Sequence, residues 1–162
     1  MQTENMNPMA KAKLIKVVIN ACREDFKEKE LMNQVMNDFM IITGQKPIKT
    51  RAKKSIANFK IREGQELGVK VTLRSRKMKD FVGRLVNAVL PRVRDFQGLD
   101  AKSFDGSGNL TIGIKEHTVF PEINPEKSPQ PFSLEVVLVT SAKNDKEGID
   151  LLRKEWGFPI KD

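Results

Sequence analysis

Two rhythms of apolar residues run along the chain. In LGVKVTLR, Leu67, Val69, Val71 and Leu73 alternate strictly with Gly68, Lys70, Thr72 and Arg74. That alternation predicts a half-buried strand with a basic outer face. LIKVVIN (14–20), LTIGIKE and SLEVVLVT are short and rich in β-branched residues, and predict three further strands. QKPIKTRAK predicts a fifth, with Pro47 at its start, where a strand tolerates proline. The second rhythm is helical. Leu31, Val35 and Phe39 recur every four residues with Met32, Met36 and Met40 beside them, and Gly44 ends the run where a left-handed cap is needed. A methionine stripe at this spacing is core rather than a soft binding surface. Met78, Phe81, Val82, Leu85, Val86 and Val89 mark a second helix, ended near Pro91. NDKEGIDLLRKEWGF is the last, with Asn144 as N-cap, Asp145 and Glu147 in the first turn, Arg153 and Lys154 in the last, and Gly157 after it.

The resulting order is β-α-β-β-α-β-β-α. Hairpin-like neighbours and one-sided helices predict an α+β fold, a mainly antiparallel sheet with helices packed on one face and the other face free to be polar and basic. Between the strands lies KKSIANFKIREGQE, too polar for core; PRVRDFQGLDAKSFDGSGN reads as a long loop. Pro121, Pro125, Pro129 and Pro131 crowd eleven residues and exclude helix or central strand there. At 162 residues the chain is expected to form one domain over 1–162, with a short N-terminal extension over 1–12 and a protruding basic loop over 52–64. No apolar run approaches the ~18 residues of a membrane span, and MQTENMNPMAKAK lacks the apolar centre of a secretory signal. Cys22 stands alone, so no intrachain disulfide forms, which fits a reducing compartment.

Charge changes the picture most. Between Lys46 and Lys79 lie 12 basic residues and two acids, Glu63 and Glu66, a net +10; the whole chain is +8, so the remainder is −2. With acids nearly absent, the cations of this segment are expected to lack local partners and to serve a bound polyanion. Period two puts Gln45, Lys49, Arg51 and Lys53 on one face of QKPIKTRAK, and Lys70, Thr72 and Arg74 on one face of LGVKVTLR. Neighbouring strands about 4.8 Å apart would set the two rows side by side. The cations then suit phosphates, and Asn20, Gln45 and Thr72 suit base edges or 2′-hydroxyls. The intervening loop is expected to be flexible, with Lys53, Lys54, Lys60 and Arg62 around Phe59, a ring that stacks on a nucleotide or anchors the loop, the two readings being even. The sheet lacks the paired exposed aromatics of a stacking platform.

Other chemistry has little footing. There is no GxxxxGK[ST], GxGxxG or HExxH, and no nucleophile–base set is visible. One histidine (His117) and one cysteine exclude a Cys/His zinc cluster. Asp105, Ser107, Asn109 and Glu116 mimic part of a calcium loop, but Leu110 holds the position that needs glycine, so DGSGN is a tight turn. No enzyme activity and no cofactor are expected. A free-standing RNA chaperone with a basic sheet face is the alternative to a dedicated RNA-binding protein.

ITGQKPIKTRAKKSIANFKIREG, KVTLR, LPRVRDFQGLDAKSFDGSGN, GIKEHTVFPEI and LLRKEWGFP together closely resemble the bacterial-type large-subunit ribosomal protein five family, from about Lys11 to Pro159. The resemblance implies a curved antiparallel sheet whose exposed face holds 5S rRNA in the central protuberance of the large subunit, with large-subunit rRNA nearby. It assigns RNA reading to Asn20, Gln45 and Thr72, beside which the charge pattern sets Lys46, Lys49, Arg51, Lys70 and Arg74 as rRNA-binding cations. It assigns contact with the P-site tRNA to the loop bearing Lys53, Lys54, Ser55, Asn58, Phe59, Lys60 and Arg62, and implies small-subunit head ribosomal protein thirteen as a partner. The location implied is a cytoplasmic ribosome, or an organellar one, with no membrane partner. The sequence departs from the family in four places. About a dozen residues precede the first strand instead of a helix of roughly two dozen, ACREDF replaces MGVGEA, Ser75 replaces a glycine, and the segment after FPEI is proline-rich.

Overall fold

The computed structural model describes residues 11–161; of the expected extension over 1–12, positions 1–10 lie outside the described residues. Eight regular elements follow the expected order: β1 (Leu14–Cys22), α1 (Lys29–Thr43), β2 (Ile48–Arg51), β3 (Glu66–Leu73), α2 (Ser75–Arg84), β4 (Leu110–Ile114), β5 (Leu134–Thr140) and α3 (Asp145–Trp156). The strands form one antiparallel sheet in the spatial order β2-β3-β1-β5-β4. β1 lies at its centre, so the first strand of the chain is framed on both sides by later ones.

Alternation decides which side each residue takes. Val17, Ile19 and Ala21 of β1, Val69, Val71 and Leu73 of β3, and Leu134, Val136 and Leu138 of β5 are buried. They share one core with Leu31, Val35 and Phe39 of α1, Phe81 and Val82 of α2, and Leu152 of α3. The intervening positions face away from that core. α1 ends at Gly44, whose φ of 63° lets its N–H bond Met40 O. α2 continues beyond Arg84 into a wide turn over Leu85–Val89, where the N–H of Leu90 reaches back to Leu85 O, and a tight turn at Leu90–Arg92. The expected helix to Pro91 is therefore present, loosened in its second half. α3 is capped as the sequence indicates: Asn144 Oδ1 accepts from Glu147 N at 2.9 Å.

The DGSGN turn locks α3 in place. Gly108 and Gly148 meet backbone to backbone, so a Cβ on Gly148 would lie 2.6 Å from Gly108 O and 2.8 Å from its Cα. Gly108 N–H donates to Asp145 Oδ1 at 2.9 Å and Thr140 Oγ1 donates to Gly108 O at 2.8 Å. The proline-rich segment is held by a buried polar cluster. His117 stacks on Phe132 at 3.9 Å, and its Nδ1 accepts from Phe132 N–H at 3.4 Å. The remaining ring proton is therefore on Nε2, which faces Ser128 Oγ at 2.9 Å. Ser128 Oγ donates to Asp38 Oδ2 and accepts from Gln34 Nε2, both at 2.6 Å, tying the segment to α1.

These contacts predict opposite outcomes for two glycine-to-alanine changes. Gly148→Ala should destabilise by about 1–3 kcal/mol, because the new methyl meets backbone that cannot move aside. Gly83→Ala in α2, where a Cβ meets nothing within 4 Å, should stabilise by about 0.5–1 kcal/mol. Urea denaturation midpoints of both variants against wild type measure the contrast.

Candidate nucleic-acid interface

The residues facing away from the helices form a continuous pattern across all five strands. One cross-strand row reads Ile48, Lys70, Asn20, Glu135, Gly113; the next reads Thr72, Val18, Val137, Thr111. Asn20, expected at the strand's end, lies inside β1, because ACREDF continues the strand through Cys22 and then buries Phe26 edge-on against Phe132. Lys70 is exposed and has no ion pair among the described residues, and Thr72 is half-buried beside it. Gln45 spans from the end of α1, its Nε2 donating to Thr72 O at 3.1 Å. The amide thus closes a backbone carbonyl beyond the end of β2 and keeps its own oxygen unused. Arg74 is exposed at the end of β3, next to Ser75, whose φ of 48° explains why a glycine suits that position.

β2 corrects one expectation. Lys49 pairs with Val69, a core-facing residue, while Ile48 pairs with Lys70 and Thr50 with Gly68. Directly opposed residues of an antiparallel pair project to the same side, so Lys49 is on the helix side and not in a row with Lys70 and Thr72. Thr50 confirms the facing, since a Cβ on Gly68 would come within 2.5 Å of its Oγ1. The sequence offered no apolar alternation in β2 to reveal this: Ile48 is its one apolar residue, and it is 73% exposed.

The expectation of unpartnered cations is corrected as well. Glu66 accepts from Lys49 Nζ at 2.8 Å and from Arg51 Nη2 at 3.2 Å. The Lys49 hydrogen bond, reinforced by Arg51 against a desolvation effect of opposite sign, holds the Glu66 carboxyl below its ordinary range. Lys77 donates to Gly44 O at 2.8 Å. Lys46, Lys53, Lys54, Lys60, Arg62, Lys70 and Arg74 carry no side-chain partner among the described residues.

The basic loop is an ordered hairpin. Ile56 and Ile61 exchange backbone bonds of 3.0 and 3.1 Å, Ala52 N–H donates to Gln65 O at 2.9 Å, and Ser55 Oγ accepts from Glu63 N at 2.9 Å. Lys60 turns the tip with φ of 51°. Phe59 is 59% exposed, so the ring does not anchor the hairpin to the core. Ser55, Asn58 and the four cations are exposed with it.

Two other groupings have catalytic or metal-binding residue types without the corresponding geometry. Ser128, His117 and Asp38 converge, but all three are buried and the serine donates to the aspartate instead of the histidine. A nucleophile would need the reverse bond and an approach for substrate. Asp105 accepts from Asn109 Nδ2 at 2.7 Å and from the N–H groups of Ser107 and Asn109 at 2.9 and 3.1 Å. These bonds, the Asn109 side chain first, lower its pKa and commit it to the turn. Among the described residues no group of three or more acidic, histidine or cysteine side chains is placed to hold a metal, and no helix is long and apolar enough to cross a membrane.

Comparison with known families assigns this architecture. Residues 7–62 match the family described as ribosomal protein L5, and residues 66–160 match the model of that ribosomal family's C-terminus. The chain belongs to the ribosomal protein L5 family. It is 53% identical over 155 residues to large ribosomal subunit protein uL5 of Halothermothrix orenii, covering 95% of this chain and 86% of that one. It is 49% identical over 156 residues to uL5 of Desulforapulum autotrophicum (96% and 87% covered) and 48% identical over 150 residues to uL5 of Acholeplasma laidlawii (92% and 83% covered). Membership makes this L5 chain a structural protein of the large ribosomal subunit, not an enzyme. The basic hairpin falls at the junction of the two matched regions, with β3 opening the second.

Glu66 gives a prediction about charge. Glu66→Gln should free Lys49 and Arg51 for phosphates and steepen the dependence of log Kd on log salt by roughly 0.7–0.9 per new phosphate contact. A depressed folded-state pKa means that the ionised pair is complete above the ordinary carboxylate pKa and fades as pH falls through the lowered value. The slopes of wild type and Glu66→Gln should therefore converge on acidification, as read by filter binding to a duplex RNA at several salt concentrations.

Proposed function

We propose that this L5 chain binds 5S rRNA on the open face of its sheet and reaches the P-site tRNA with the hairpin over 52–64. The observation that carries the reading is the row Lys70–Asn20 with Thr72 beside it. One unpaired cation and two hydrogen-bonding side chains stand together on the side of the sheet that, among the described residues, faces away from the helices. Lys70, Arg74 and Lys46 neutralise phosphates. Asn20, Thr72 and the free oxygen of Gln45 fix register on base edges or 2′-hydroxyls. Lys49 and Arg51 contribute at the β2 edge, their charge shared with Glu66. The hairpin adds Lys53, Lys54, Lys60 and Arg62 to phosphates, Ser55 and Asn58 as hydrogen-bonding groups, and a solvent-facing Phe59 for stacking. Large-subunit rRNA and small-subunit head ribosomal protein thirteen complete the set of partners in this reading.

Lys70→Ala should weaken binding to 5S rRNA and to other RNAs alike and flatten the salt slope by roughly 0.7–0.9. Thr72→Ala should cost about 1 kcal/mol on 5S rRNA and leave the slope unchanged. Salt titrations of both variants separate the roles; equal slopes for wild type and Lys70→Ala count against phosphate neutralisation by the open face. A free-standing chaperone would bind unrelated RNAs as tightly as 5S rRNA and would leave large subunits in a high-salt wash.

Deleting Ser55–Arg62 tests the hairpin separately. The sheet register continues through Arg51 and Glu66 on either side, so 5S rRNA affinity should stay within about twofold while P-site tRNA dissociates faster from assembled ribosomes. Loss of 5S rRNA binding in the deletion would mean that the hairpin, not the sheet, grips that RNA.

A further inference from the structure

Glu135 is out of place on a face that meets phosphates. It projects from β5 into the same row as Asn20 and Lys70, exposed, with no hydrogen bond or ion pair among the described residues. Its register partner on one side is Asn20 and on the other Gly113. Lys70 lies two strands away, about 10 Å by strand spacing, and forms no ion pair with it. Gly113 has no side chain to fill its place, and a Cβ there would meet nothing within 4 Å. The outcome is an open concavity of about 570 Å³ lined by Asn20, Cys22, Thr111, Gly113, Lys115 and Glu135.

A carboxylate only accepts hydrogen bonds. Beside phosphates it is repulsive, so any favourable contact with RNA must be made to base N–H groups. Among the four bases, guanine alone presents two adjacent donors, N1–H and the N2 amine, with the O6 acceptor next to them on the same edge. Glu135 supplies two acceptor oxygens. Asn20, directly opposite on β1, supplies an uncommitted amide N–H₂. Opposed residues in an antiparallel pair have Cα atoms about 4.5–5.5 Å apart, close enough for both side chains to meet one base. Exposed Lys115 at the rim has no ion pair among the described residues and suits the phosphate of the same nucleotide.

We propose that Glu135 and Asn20 read the Watson–Crick edge of one unpaired guanine seated in the concavity over Gly113. Glu135 takes N1–H and N2–H, and Asn20 donates to O6. This rests on the RNA-binding reading of the open face and gives it a base-specific site.

The test uses the full chain and 5S rRNA, with kethoxal, which adds across N1 and N2 of guanines whose edge is free. Wild type should shield at least one unpaired guanine. Glu135→Gln should expose that guanine while other protections persist, and raise Kd roughly tenfold or more with the salt slope unchanged. Gly113→Val, whose Cβ meets nothing within 4 Å, puts bulk into the concavity and should expose the same guanine. If Glu135 is only a repulsive surface charge, Glu135→Gln will instead tighten binding to every RNA and leave the kethoxal pattern as in wild type. That result, with Lys70→Ala still weakening binding, overturns the guanine site and leaves the open face standing. If neither Lys70→Ala nor Glu135→Gln changes affinity, the open-face reading fails and this site fails with it.

Discussion

Burial of one side of β3 and β1 against the helices is the constraint on which the other features depend. Val69, Val71 and Leu73 on one strand and Val17, Ile19 and Ala21 on the other must face α1 and α2. The pleat then has no choice about Lys70, Thr72 and Asn20, which face the opposite way. A one-residue slip would bury Lys70 and expose Val69 and Val71, and the apolar surface lost makes that slip costly. The polar row on that opposite face therefore needs no dedicated scaffold of its own. It is aligned by the same hydrophobic term that folds the domain.

The electrostatics are finer than the net charge implies. A segment with a net +10 would repel itself if every cation stood free. Glu66 takes up two of them at the sheet edge, where β2 has only four residues and no apolar side to hold it. Lys49 and Arg51 thus help to fasten β2 to β3, and the cations left free lie on the open face, at the strand ends and on the hairpin. Local pairing of this kind concentrates the field at particular places instead of spreading it over the segment.

Much of this was legible in the sequence, and the reasons differ by element. β3 could be read to within one residue at each end because its alternation is strong, and α3 because Asn144 and Gly157 are strong end signals. α1 was fixed by an unbroken four-residue apolar repeat ending at Gly44. β2 could not be oriented, since a short edge strand of Ile, Lys, Thr and Arg has no periodicity to orient it. The bridging role of Glu66 was hidden for a related reason: it depends on which strands are neighbours and on the irregular register between Thr50 and Arg51. The cluster of His117, Ser128 and Asp38 joins residues separated by up to 90 positions, and no local pattern announces such a contact. The order within the hairpin was missed because its bonds are backbone bonds among polar residues.

Affinity and specificity for RNA make different demands on side chains. Unpaired lysines and arginines attract any polyanion, so by themselves they favour a correct RNA over a wrong one very little. Discrimination requires groups that lose something on the wrong partner: an amide left without a mate, or a carboxylate pressed toward a phosphate. On the proposed reading Asn20, Thr72 and Glu135 are of that kind, and all three are on central strands paired on both sides. There the strand has a hydrogen-bonded neighbour on each side. The hairpin and strand ends, which carry most of the free charge, are held by local bonds alone, while Lys70 shares the central row with Asn20. On the proposed reading, the groups that select stand on paired central strands beside Lys70, and most of the attraction comes from the hairpin and strand ends.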